Sequence, residues 1–248
     1  MLLLTVDTST PTVTAGVVSL LRPHELMTGR PVGDTSTVPE PITVLAERTV
    51  TDAFAHAEKL MPLVREALAA AGHGLPDLEA VVVGLGPGPF TGLRVGVATA
   101  QALGDALGAP VHGVGSHDGL ARSHLRSERP TGDFLVVTDA RRREVYLSAY
   151  SAAGARLFGP APVAPAAAAE ELRTAGVVPT SMIGPGVGLL ADELPMARPS
   201  LTGDLSSGLV LAAARALLTG VVPGPLTPLY LRRPDAAEPG ARKSVLGP

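Results

Sequence analysis

The sequence predicts an α/β protein of two lobes, and three observations carry that reading. Short apolar strands alternate with segments whose apolar residues recur at helical spacing. The order of strand hairpin, helix, strand, helix is followed by a second, mixed set, with a break near Gly108 to Val111. Apolar residues make up 46% of the 248 and charged residues 17%, which suits a sizeable core and excludes global disorder. The expected division is an N-terminal lobe over 1–107, a C-terminal lobe over 108–205, and a C-terminal helix with a Pro-rich tail over 206–248 that returns toward the first lobe.

Leu2 to Val6 reads as a short buried strand ending at Asp7. The Asp-Thr-Ser-Thr-Pro stretch is turn chemistry, and Val13 to Leu20 completes a hairpin. Arg22 to Pro41 is Pro- and Thr-rich and reads as a loop or insertion. Ile42 to Val50 is a third strand, suited to a sheet edge. His56 to Gly72 is helical, with Leu60, Leu63, Val64, Ala67, Leu68 and Ala71 on one face, Thr51 or Asp52 as cap and Gly72 as stop. Ala80 to Val83 is a buried strand, followed by the Gly-Pro turn Gly84 to Pro89 and a helix from Thr91 to Leu107. Val111 to Val114 is a strand and Asp118 to Leu125 a modest helix. Phe134 to Thr138 and Glu144 to Tyr150 pair around the turn Asp139 to Arg143. Val163 to Leu172 reads as a loop running into a helix, Ser181 to Ile183 as a strand, and Ser206 to Leu218 as a helix capped by Ser206 or Ser207. In the tail, Leu229 to Leu231 is the apolar anchor.

Composition narrows the function classes. With 20 basic and 23 acidic residues the formal net charge is −3, so an RNA-gripping basic stripe is absent and RNA contact is expected only through a partner. The small clusters at Arg141 to Arg143, Arg232 with Arg233, and Arg242 with Lys243 read as solvated surface charge. No Trp, three Tyr and four Phe argue against a base-stacking platform. The absence of cysteine excludes disulfides and thiolate chemistry. The opening MLLLTVDTST lacks a basic n-region, and no long uninterrupted apolar run suggests a membrane span, so a soluble cytoplasmic protein is expected.

Four constellations could carry chemistry. Asp7-Thr8-Ser9-Thr10 at a strand end has the donors and carboxylate to hold a metal-bound phosphate, but Thr8 stands where close phosphate approach favours glycine. Satisfaction of turn backbone groups weighs more than catalysis there. Gly84-Leu85-Gly86-Pro87-Gly88-Pro89-Phe90-Thr91-Gly92-Leu93-Arg94-Val95-Gly96 invites a phosphate-loop reading, yet it lacks a Lys-Ser or Lys-Thr pair and two prolines remove donors. The small residues of the following helix suit either a buried core helix or a close protein–protein contact, about equally. Asp139 opens a charged turn that serves either as a metal or water ligand or as a solvated hairpin. The histidines, His112 and His117 included, lack the i, i+4 helical spacing of metal pairs and read as packing or surface residues, so no metal site is expected.

Four ordered stretches carry a family resemblance over most of the chain. GPGPFTGLRVG at Gly86 to Gly96 is similar to the GPGSFTGLRIG stretch of the TsaB (YeaZ) family, with Pro89 for Ser. Leu4 to Thr10 resembles that family's opening strand and turn, Asp139 to Tyr146 its Asp-Ala-Arg-x-x-Glu-Val-Tyr signature, and Pro228 to Arg232 its Pro-x-Tyr-Leu-Arg ending. His56, four residues before Leu60, matches its first long helix. The segment from Arg22 to Pro41 is longer than the family pattern, and His117 stands where an apolar residue is usual.

The resemblance implies a reduced form of the actin-like ATPase fold shared by sugar kinases and heat-shock chaperones, two lobes related by duplication. It implies a non-catalytic subunit that binds the catalytic paralogue TsaD, with the ATPase TsaE, for threonylcarbamoyl transfer to the adenosine next to the anticodon in tRNAs reading codons that start with A. TsaD's paired histidines align with Gly113 and His117, so one metal ligand is missing and the active site reads as lost. ATP and metal then belong to partner subunits, and this subunit requires no cofactor. The implied interface comprises His56, Leu60, Leu63, Phe90, Leu93, Arg94, Val97 and Ala100, with homodimers expected when the partner is absent. Asp7, Thr8, Ser9 and Asp139 would be remnants of a nucleotide site. The competing reading is an ATP-dependent small-molecule kinase of the same fold using Asp7 and Asp139. A metallopeptidase is disfavoured for want of clustered ligands.

Overall fold

The computed structural model describes residues 1–27, 41–52, 56–196 and 203–232. Among the described residues, nine strands form two sheets. The first is built from β1 (Leu2–Asp7), β2 (Thr12–Leu20), β3 (Ile42–Thr51), β4 (Ala80–Gly84) and β5 (Val111–Val114), in the order β3-β2-β1-β4-β5. The first three strands are antiparallel neighbours, and β1, β4 and β5 run parallel. The second sheet contains β6 (Phe134–Arg141), β7 (Glu144–Tyr150), β8 (Arg156–Val163) and β9 (Ser181–Ile183), in the order β8-β7-β6-β9. It repeats the same plan, an antiparallel trio with a parallel strand beside its first member. This is the two-lobed, duplicated actin-like ATPase fold in reduced form.

The strands of the first sheet are apolar on both faces because both are covered. On one face lie α2 (His56–Ala71) and α3 (Phe90–Leu107), whose Leu60, Val64, Ala67, Val97 and Ala100 meet Leu4, Val6, Val81 and Val83. On the other, α6 (Leu205–Thr219) packs Leu209, Val210 and Ala213 on Leu3, Val18 and Val82. Helix α4 (Ser116–Ser127) lies against α6 and turns Leu120 and Ala121 toward Phe134, Val136 and Tyr150 of the second sheet. The layers therefore run α2/α3, first sheet, α6, α4, second sheet. The outer face of the second sheet packs on α5 (Ala168–Thr174).

Several expectations are corrected. The boundary at residue 107 falls too early, since β5 is the edge strand of the first sheet. Strand β8 occupies residues to which the sequence pattern assigned no element, apart from Val163, expected to begin a loop. Its Gly159, Pro160 and Pro162 obscure the strand pattern, and Pro is tolerated because β8 is a sheet edge. The cap of α6 is Asp204, whose carboxylate accepts from Ser207 N at 2.6 Å, rather than Ser206 or Ser207. Within the segment expected to be a loop, Pro23–Met27 forms the short helix α1, while 28–40 lie outside the described residues. Arg233, Arg242 and Lys243 also lie outside them. No helix among the described residues is long and apolar enough to cross a membrane.

Candidate functional site: two hairpin tips and a cleft

Strands β1 and β4 end side by side, which brings the β1–β2 turn against the Gly-Pro turn and the start of α3. Asp7 is 1% exposed. Its Oδ1 accepts from Ser9 N at 2.8 Å and Ser9 Oγ at 2.6 Å, and its Oδ2 accepts from Ser116 Oγ at 2.5 Å. Burial pushes the Asp7 carboxyl above its ordinary range, opposed by hydrogen bonds from Ser116 and Ser9. Its acceptor capacity is thus turned inward, toward its own chain.

The glycines of the motif explain why. A Cβ at Gly92 would sit 2.5 Å from the Thr8 carbonyl, one at Gly96 would collide with Thr8 Oγ1, and one at Gly88 would collide with the Ser9 carbonyl. Thr8 Oγ1 donates to Gly92 O at 2.7 Å. The helix is glycine-rich where the Thr8–Ser9 turn lies against it, so the first hairpin tip is packed directly on α3. Pro89 precedes α3 without a side-chain cap, and Leu93 N is satisfied by Pro89 O at 3.0 Å.

The interface residues expected from sequence mostly face inward. Leu60, Leu93 and Ala100 are fully buried, and His56, Leu63 and Val97 are at most 9% exposed. His56 Nε2 lies 2.9 Å from Thr10 O, and its ring borders Gly92. These six form the core face of α2 and α3, as an apolar helical stripe on a sheet must. Only Phe90, half-buried, and Arg94, exposed, reach the surface. The outward face of α3 carries Thr91, Arg94, Ala98, Gln101, Ala102 and Asp105, and that of α2 carries Lys59, Pro62, Glu66, Ala69 and Ala70. The small outward residues were legible as glycine- and alanine-rich spacing, but which of them pointed outward was not.

The second hairpin repeats the first in outline only. Asp139 Oδ1 accepts from Arg141 N at 2.6 Å, as Asp7 does from Ser9 N, so Asp139 is a turn cap. Arg142 and Arg143 form the two-residue loop between β6 and β7, with Arg141 opposite Glu144. All three arginines have positive φ, 63°, 54° and 62°, and all are exposed. Left-handed backbone costs an L-residue roughly 1–2 kcal/mol, and such loops favour Asn-Gly.

The base of each hairpin is tied to the start of α4. Ser116 bonds Asp7 and accepts from Gly86 N at 3.0 Å. Its neighbour His117, 1% exposed, places Nδ1 2.8 Å from Ser148 Oγ and Nε2 2.9 Å from Thr138 Oγ1. Burial, with a smaller contribution from Arg156, lowers the His117 pKa to about 3. No signal in the sequence identified this pairing.

Between the Gly-Pro turn and the second hairpin lies a cleft of about 590 Å³ bordered by Pro89, Phe90, Arg141, Arg142, Tyr146 and Tyr230. The C-terminal strap crosses it. Leu229 N donates to Leu85 O at 2.8 Å, the Tyr230 ring lies 4.7 Å from Phe90, and Arg94 Nε donates to the Tyr230 hydroxyl at 3.2 Å. Arg232 donates to Ala140 O at 2.9 Å and pairs with Glu144 on the second lobe. Leu226 also packs on the first core, so the tail has more apolar anchorage than Leu229 to Leu231 alone. Among the described residues, no group of three or more His, Asp or Glu is placed to hold a metal.

The fold and site define a class: a reduced actin-like protein whose first hairpin tip is packed against the helix that follows its Gly-Pro turn. A family model described as "TsaD: tRNA N6-adenosine threonylcarbamoyltransferase" matches residues 43–217. An uncharacterized protein of Mycobacterium tuberculosis is 45% identical over 233 residues, 94% of this chain and 92% of that protein. The tRNA threonylcarbamoyladenosine biosynthesis protein TsaB of Escherichia coli is 39% identical over 97 residues, 38% of this chain and 41% of that protein. The solved structure of YeaZ from Pseudomonas aeruginosa superimposes with a TM-score of 0.66 at 26% identity, covering 93% of this chain and 99% of that one. The chain belongs to this family, in its TsaB (YeaZ) branch.

Proposed function

We propose that this chain is the non-catalytic subunit that pairs with the catalytic paralogue TsaD, together with TsaE, for threonylcarbamoyl transfer to the adenosine beside the anticodon of tRNA. The observation that carries this reading is the sealed tip of the first hairpin. Asp7 is buried and thrice bonded within the chain, and the Thr8–Ser9 turn fills the glycine-lined space in front of α3. A kinase needs that space open and that carboxylate accessible to a metal–phosphate. ATP and metal chemistry therefore belong to partner subunits.

The partner surface is the outward face of α2 and α3, where Ala69, Ala70, Ala98 and Ala102 permit close helix approach and Phe90 and Arg94 lie at one end. The core residues Leu60, Leu93 and Ala100 hold those helices in place without offering contact area. In the partner's absence the same face supports a twofold homodimer. Its test is Ala98→Arg, which keeps the core intact and should abolish pairing in sedimentation while leaving the thermal midpoint unchanged. Val97→Arg and Ala100→Arg, by contrast, should unfold the chain.

The activity test is transfer to unmodified tRNA from threonylcarbamoyl-adenylate by cognate TsaD and TsaE, with and without this chain. Transfer that requires the chain, with none from the chain alone, supports the reading. Equal transfer without it overturns the reading.

A further inference from the structure

We propose that the Arg141–Arg143 tip is an RNA-contacting prong that holds sugar–phosphate backbone at the mouth of the interlobe cleft; this rests on the reading that the chain serves tRNA modification.

The tip carries arginine where the fold would be better served without it. A two-residue β-hairpin loop with positive φ at both central positions is the natural place for Asn-Gly, yet Arg142 and Arg143 occupy it, and Arg141 before them is also left-handed. Strain of this kind persists where a function requires the side chains. The three arginines are exposed together at one tip, and Arg232 stands beside them, paired with Glu144. Guanidinium forks bind phosphate oxygens in pairs, which suits RNA backbone better than a point charge does.

Two further features place RNA rather than an acidic protein at this mouth. Tyr230, 40% exposed, lies against Phe90 on the opposite wall and offers a ring face on which a base can stack. Arg94 joins Tyr230 to the outward face of α3, so a partner seated there and the arginine tip would border one continuous groove. The net charge of −3 confines attraction for a polyanion to such a local site and explains why composition gave no sign of it.

The experiment measures binding of an unmodified tRNA transcript by fluorescence anisotropy across a KCl series. It compares the heterodimer of this chain and the catalytic paralogue with the same heterodimer carrying R142G/R143G or R142K/R143K. Glycine suits the turn, so the glycine variant should keep or raise its thermal midpoint, which separates lost contact from lost folding. The expected result is at least about a fivefold weaker affinity and a log–log salt slope shallower by roughly 1.4 to 1.8, two phosphate contacts' worth. The lysine variant should recover the slope and only part of the affinity. Unchanged affinity and slope in the glycine variant overturn the proposal. So does unchanged tRNA binding accompanied by lost binding of a poly-glutamate peptide, which would assign the tip to an acidic protein. Sedimentation of the same samples reports pairing separately. If the wild-type chain does not pair, the proposed function fails, and titration of the chain alone decides the prong by the same comparison.

Discussion

Asp7 and Asp139 occupy the same place in the two halves of a duplicated fold, and the protein has treated them oppositely. Asp7 ends β1 and Asp139 lies two residues before the end of β6, and each accepts a hydrogen bond from the backbone N–H two residues on. Around Asp7 the Gly-rich start of α3 closes in, and the tip is sealed into the first lobe. Beside Asp139 the glycines at 184 and 186 pack only on the backbone of Val137 and Thr138, and the tip beyond remains an exposed run of arginines facing the cleft. The difference lies in the element that succeeds the parallel strand beside each hairpin. In the first lobe β4 leads into a long helix with glycine at 92 and 96, whereas β9 leads into a short turn near Val187–Leu189. Of the two corresponding hairpin tips, one is packed and the other is surface.

The largest expected effect comes from removing the sealed carboxylate. Asp7→Ala leaves Ser9 and Ser116 without their acceptor in a buried site, at about 1–3 kcal/mol for each group stranded. Urea unfolding should show a loss of several kcal/mol. A loss under about 1 kcal/mol would mean the first tip is not sealed as described. Gly92→Ala tests the other side of the seal. Its Cβ would meet the Thr8 carbonyl, which is backbone and cannot rotate away, so a loss of about 1–3 kcal/mol is expected in the same assay. If Gly92→Ala stabilises the helix instead, as alanine does on an open helix face, the packing argument fails.

The shared footing of the two hairpins can be read by pH. His117 has its folded-state pKa depressed from 6.5 to about 3, so the unfolded chain binds its proton more readily. Its contribution is therefore fully present above pH 6.5 and is lost as pH falls toward 3. Carboxylates add their own acid dependence to both proteins, so the informative quantity is the difference between wild type and His117→Gln. That difference should change by up to about 1.4 kcal/mol per pH unit across this window. A flat difference would show that His117 is solvated or charged in the folded protein, and that Ser148 and Thr138 do not hold it neutral.

Much of this was legible before the structure. The strands, the long helices and the family motifs follow from apolar spacing and turn residues, and Thr8 in place of glycine already weighed against catalysis at the first tip. Three things were not legible, each for a physical reason. Apolar helical positions such as Leu93 and Ala100 read equally well as interface or core, since periodicity gives a face but not the surface it meets. Strand β8 was hidden by prolines that only an edge position tolerates. The pairing of His117 with Ser148 and Thr138 depends on contacts between residues 21 and 31 positions apart, which no local pattern encodes.

The smallest effect is the one that most sharpens the comparison of the two tips. Asp139→Ala removes the acceptor for Arg141 N, but Asp139 is only half-buried and that N–H lies in an exposed turn. Water can take over the lost hydrogen bond, so the net cost should be about 0.5–1.5 kcal/mol, well below that of Asp7→Ala. The two substitutions delete the same atoms from equivalent positions, and the two carboxylates share no hydrogen-bond partner, so their effects are expected to add. The double variant should therefore unfold at the sum of the two single losses. Equal losses for the two single variants would mean that Asp139 is buried by contacts other than those of its own hairpin, and the second tip would have to be treated as sealed like the first.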